Sequence, residues 1–184
     1  MKTDPDKITL KIDALKVSQP IGDFFVASID HKTLGKISYF DVRRVLRDSR
    51  DVERYLGIQR PLSEKRVSDL SAFVNYLDAT FPSSIILAID DEYAEYDEKA
   101  KQLFIRNHKA DETTPSIAIS EVARVLDGQH RIAGLENFKG NTFGLSVTIF
   151  IGSDIADQAY IFSTVNHIRI TLSRRPVPSM PRPV

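Results

Sequence analysis

The 184-residue chain is 42% hydrophobic and 9% aromatic, enough to bury an ordinary core, which excludes wholesale disorder and suggests one domain. Its 25 Lys and Arg balance 25 Asp and Glu, so no global field draws it to nucleic acid or membranes, and an anionic partner must be met by a local patch. With no cysteine there is no disulfide, thiol nucleophile or cysteine-bound metal; with a polar start and no long apolar run, the chain is expected to be cytosolic, without membrane contact.

From Ile8 to Phe40 short apolar runs alternate with turn residues. Phe24 to Ile29 and Gly35 to Phe40, flanking Asp30-His31-Lys32-Thr33, predict a β-hairpin. Asp41 can cap a helix starting at Val42. After Gln59-Arg60-Pro61, Ser63 is a predicted N-cap, and Val67, Leu70, Phe73, Val74 and Leu77 recur on one helical face. Between Arg43 and Arg66, eight basic residues stand against four acidic ones. That local excess could hold DNA phosphates, although a solvated mixed face is the commoner use of such a stretch.

Pro82 ends the amphipathic helix, and Ser84 to Ile89 reads as a buried strand. Six acidic residues in the nine from Asp90 to Glu98 predict a solvated loop rather than a metal site. Leu103 to Ile105 and Ile117 to Ile119 read as short strands around a polar loop, Arg106 to Pro115. His31, His108 and His167 are dispersed without metal-ligand spacing, so no metal site is expected.

Ala123 to Leu126 predicts a strand running into a helix through Asp127-Gly128-Gln129-His130-Arg131, with Ile132, Leu135 and Phe138 on the buried face and Gly140 at the end. Leu145, Val147, Ile149 and Ile151 then alternate with polar residues as a strand. Ser153 or Asp154 caps a last helix, expected to pack through Ile155, Ala159, Phe162 and Val165 and carrying Asn166. The order of elements is α+β. The residues 174–184 hold four of the nine prolines and no periodic pattern, which predicts a tail, disordered or left by truncation, after a domain over 1–173.

A strand that delivers the chain into a helix start leaves backbone N–H groups unpaired beside the positive end of the helix dipole, a setting that suits phosphate. Gly128 would let a ligand approach the backbone, Asp127 would cap the helix, and His130 and Arg131 would add donors and charge. His130 could instead act as an acid or base near neutral pH. The plain structural alternative is that Asp127 only caps and Arg131 pairs with a surface carboxylate.

Asp127-Gly128-Gln129-His130-Arg131 also spells the pentapeptide of the DGQHR-domain proteins. Together with Gln59-Arg60, the strand Ile85 to Ile89 and Asn166, it makes the chain resemble that family from about Ile12 to Leu172. The resemblance implies a ParB/sulfiredoxin-like fold, a small mixed sheet with helices packed around it, of the kind seen in DndB-like proteins of DNA phosphorothioation systems and DpdB-like proteins of deazaguanine DNA-modification islands. It implies Asp127, Gly128, Gln129, His130, Arg131, Gln59, Arg60 and Asn166 as the binding set for phosphate, nucleotide or DNA, with His130 and Arg131 as the catalytic candidates. Family members are typically longer, with further helical sequence after the Asn-containing helix, which favours truncation as the reading of the tail. Sulfiredoxin chemistry is excluded, because Gln129 stands where its reactive cysteine would.

Three functions stay open on these grounds. One is a DNA-binding regulator or guide of a phosphorothioation-type modification system. Another is a ParB-like ATPase or DNA-nicking enzyme of a deazaguanine island. The third is an inactive truncated fragment. ATP or CTP with Mg²⁺ is the implied cofactor, and DNA, a nucleotide, a second copy of the chain and other proteins of the modification system are the implied partners.

Overall fold

In a computed structural model, residues 7–40, 62–109 and 116–172 are described, the side chains of 166–172 excepted. The expected helix at Val42, the pair Gln59-Arg60, most of the basic stretch and the 174–184 tail therefore lie outside the described residues.

β1 (Thr9–Gln19) turns its alternate residues Leu10, Ile12 and Ala14 inward and returns as β2 (Gly22–Asp30), with Ala14 opposite Ala27 and Gln19 opposite Gly22. The hairpin turns at Pro20-Ile21, and Gly22 supplies the positive φ of +124° that closes it. This corrects the hairpin expected around Asp30. The Asp30 carboxylate accepts from the amides of Lys32 and Thr33, at 3.0 and 3.1 Å, and caps a helix instead, α1 (His31–Ile37), whose Leu34 and Ile37 are fully buried. A local capping bond thus outweighs the strand pattern of Gly35 to Phe40, of which only β3 (Ser38–Tyr39) is extended.

α2 (Glu64–Phe73) is capped by Ser63 as expected, the Ser63 hydroxyl accepting from the Arg66 amide. It ends sooner than its apolar spacing suggests. Val74 is buried just past the helix, whereas Leu77 lies beyond the last turn and is wholly exposed. β4 (Ile85–Ile89) follows; lying between two strands with helices on both sides, it has to be apolar throughout.

The acidic stretch is not all loop. A 3-10 turn, Asp91–Tyr93, leads into β5 (Ala94–Asp97), which alternates Glu95 and Asp97 outward with Tyr96 inward at the sheet edge, where charges discourage pairing with another chain. β6 (Gln102–Arg106) is the expected strand. Ile117 to Ile119 is not one: a second 3-10 turn, Ile119–Glu121, occupies that place. β7 (Ala123–Asp127), α3 (Gln129–Leu135), β8 (Gly144–Ile151) and α4 (Ile155–Leu172) complete the described part of the chain. Asp154 caps α4, accepting from the Asp157 amide at 2.8 Å. Among its described side chains α4 buries Gln158 and Ile161, so the expected packing face is rotated, and Ile155 is exposed.

The strands form one mixed sheet of order β3-β7-β4-β8-β2-β1-β6-β5, with β4 parallel to β8, β3 parallel to β7, and the other neighbours antiparallel. The architecture is α+β. One face carries the main core, in which Ile85, Leu87, Ile89, Val147 and Ile149 of the sheet meet Leu34, Ile37, Ile132 and Leu135 of the helices. The other face carries a smaller cluster of Ala88, Leu126 and Ile161 under α4.

Asn107 is fully buried just after β6. Its side chain accepts from the Ile8 amide at 2.7 Å and donates to the Ile117 carbonyl at 3.0 Å, so one side chain joins three distant segments. Asn107→Ala would leave two part-buried backbone groups without their partner. A loss of roughly 2–4 kcal/mol in unfolding free energy is expected, read from urea denaturation; a loss below about 1 kcal/mol would remove this role.

Candidate functional site

The pentapeptide sits where β7 passes into α3. Gly128 is the N-cap of α3 and adopts φ +105°, a conformation strained for any L side chain, and an added Cβ would lie 2.4 Å from Ile85 Cδ1 and 3.1 Å from Arg131 Nη2. The missing side chain accommodates the protein's own packing, where an approaching ligand was expected. No side chain caps α3, because the carboxylate expected to do so, that of Asp127, faces elsewhere.

It faces Arg131, one helical turn on. Arg131 Nη2 donates to Asp127 Oδ2 at 3.0 Å and to the Ser84 carbonyl at 3.1 Å, while Nη1 donates to the Ser83 hydroxyl at 3.0 Å and to the Ser83 carbonyl. The side chain is 13% exposed and its carboxylate partner 19%. Arg131 is therefore turned into the fold. Four acceptors on two chain segments hold the guanidinium against the fold, Nη2 on its part-buried side and Nη1 on its exposed side.

His130 points toward α2. Its Nε2 accepts from the Ser63 amide at 3.0 Å, which requires a ring carrying its hydrogen on Nδ1. Burial lowers its pKa below the ordinary 6.5, the nearby Arg66 charge lowers it further, and Asp127 opposes both. The neutral ring is thus the form the fold selects. Deeper in the same contact Gly134 lets the helices close, since a Cβ there would stand 2.7 Å from Leu70 Cβ. At the far end Asn75 donates to the Ser71 and Asn137 carbonyls and accepts from the Lys139 amide.

The structure thus brings Asp127, Gly128, His130 and Arg131 together with Ser63, Ser83, Ser84 and Arg66. Gln129 is half-buried in the first turn of α3. Gln59 and Arg60 lie outside the described residues, as does the side chain of Asn166 in α4. Ser63 was foreseen as a cap but not as the partner of His130, and Ser83 and Ser84 carry no sequence signal beyond preceding a strand. Arg131 and Asp127 are engaged with each other, and among the described residues no three His, Asp or Glu side chains are grouped to hold a metal.

Arg131→Ala should cost about 3 kcal/mol of stability, because it leaves a half-buried carboxylate and two carbonyls without their donor, and Arg131→Lys should not restore it, lacking the planar fork. Denaturant midpoints of both variants check this, and a neutral Arg131→Ala would refute it. Acidification gives a second expectation. The His130 pKa is depressed on folding, so the stability it contributes is complete above pH 6.5 and is lost as pH falls through the lowered value. The unfolding free energy should therefore drop below pH 6.5 more steeply in the wild type than in His130→Gln.

Comparison with known proteins agrees with the motif. Neither the curated proteins nor the solved structures offer a match. The DndB family, described as DNA-sulfur modification-associated, matches residues 12–180. That match takes in the pentapeptide and nearly every element of the sheet, and by it the chain belongs to the DndB family.

Proposed function

We propose that this chain binds DNA as a regulatory or guiding component of a DNA-sulfur modification system, meeting the phosphate backbone with the start of α2 beside the DGQHR corner. Family membership supplies the DNA context. The observation that carries the placement is the contrast between two arginines: Arg131 is turned into the fold, while Arg66, next to Lys65 in the first turn of α2, is exposed. A charge able to release counterions from DNA must be exposed, and at this corner Arg66 and Lys65 meet that requirement. They also continue the basic stretch that begins at Arg43, whose other members precede the described part of α2. Interaction with other proteins of the modification system, or with a second copy of the chain, belongs to the same reading.

The test is fluorescence anisotropy with duplex DNA, unmodified and phosphorothioated, across a salt series. Binding should weaken as salt rises, and Lys65→Ala with Arg66→Ala should flatten the log–log slope by about two, one phosphate contact for each residue. Binding that is absent, or indifferent to both substitutions, would refute the placement. Plasmid nicking or phosphate release from ATP in the same samples would replace it with an enzymatic reading.

A further inference from the structure

The corner holds one polar contact that bears on how the proposed DNA contact is controlled. Ser63 is the N-cap of α2, and its amide is held by an imidazole from another part of the chain, 67 residues away. The amide can only donate, so the bond exists only while Nε2 keeps its lone pair. A proton on that nitrogen would set N–H against N–H at hydrogen-bond distance. Among the described residues, the charged groups acting on the ring are Arg66 from α2 and Asp127 from the end of β7. Asp127 is already paired with Arg131 and offsets an added charge weakly, whereas Arg66 repels it. Lys65 and Arg66 lie two and three residues past Ser63, within the helical turn that Ser63 caps.

We propose that His130 is a positioning residue for the DNA contact: its unprotonated Nε2 latches Ser63, and with it the basic first turn of α2, onto the DGQHR turn, and protonation of the ring releases that latch. This rests on the proposed DNA contact of α2 for its functional consequence, but the latch itself does not. It differs in sign from the role first expected of His130. An imidazolium gripping a phosphate would raise DNA affinity on acidification, whereas release of the latch lowers it.

The experiment has two arms. In the first, amide exchange at Ser63 is followed by NMR on the whole chain without DNA. Its protection, corrected for intrinsic exchange, should fall roughly tenfold as the ring titrates, the scale of one lost hydrogen bond, and should stay constant in His130→Gln, whose amide oxygen can accept at any pH. In the second arm, duplex DNA affinity below pH 6.5 should fall in the wild type relative to His130→Gln. Ser63 protection that ignores pH in the wild type, or that falls equally in His130→Gln, overturns the latch. An affinity that rises on acidification in the wild type relative to His130→Gln overturns the control of the DNA contact by the ring. If no DNA binds at any pH the proposed function fails alone, and the Ser63 arm still decides the latch.

Discussion

One guanidinium holds this corner of the molecule together. Arg131 joins the end of β7, the start of α3 and the segment leading into β4, so that two neighbouring strands and a helix are fixed at a point where the chain leaves the sheet. An exposed ion pair of this kind would contribute little. Here the guanidinium and the carboxylate are mostly covered, so the relevant quantity is the cost of breaking the arrangement, which leaves a part-buried carboxylate and the part-buried Ser84 carbonyl without their donor. Only a planar fork of donors can reach all four acceptors, and only a glycine at 128 leaves room for it beside Ile85. The residues of the pentapeptide are interdependent for steric reasons as much as electrostatic ones.

With that point fixed, the helices follow. α3 emerges with its buried run Ile132 to Leu135 against the core, and α2 lies on it closely enough that Gly134 has no room for a methyl group. A row of rings continues the contact: Phe73, Phe81, Phe143, Phe138 and His31 succeed one another at centroid distances of 5.3 to 5.8 Å. His31 Nδ1 also accepts from the Phe143 amide, so this histidine, unremarkable in sequence, fastens α1 to the start of β8. The face bearing the corner is therefore built from contacts between helices and loops, while among the described residues α4 packs on the opposite face through Ile161.

Much of this was legible in the residue pattern because it is periodic. Alternation marked β8, an uninterrupted apolar run marked β4, and a serine before a three-and-four spacing marked the start of α2. The misreadings occurred where a single side chain decides the backbone. Asp30 fits a turn by residue type, but its carboxylate accepts from two amides of α1 and caps that helix. Asp127 was read as a cap because helix starts favour aspartate, but the guanidinium one turn on competes for the same oxygen and wins. The partners of the motif, Ser63, Ser83 and Ser84, were not recoverable from one sequence. Nothing local distinguishes a serine whose amide or carbonyl meets a residue nearly fifty or more positions away. The pentapeptide identified the family, yet said nothing about which way its arginine points.

The sheet order carries a consequence for how such a chain reaches its native state during synthesis. The β1–β2 hairpin is made first, but β1 awaits β6, and β2 awaits β8, with Asp30 opposite Gly144. β4 likewise has no neighbour until β7 and β8 exist. A ribosome must therefore extrude almost the whole described chain while two ladders of amide and carbonyl groups stand open, which favours slow closure and exposes the nascent hairpin to intermolecular pairing. Among the described strands, β1 and β2 leave the tunnel well before the partners they pair with, and their outer edges stay open until β6 and β8 arrive.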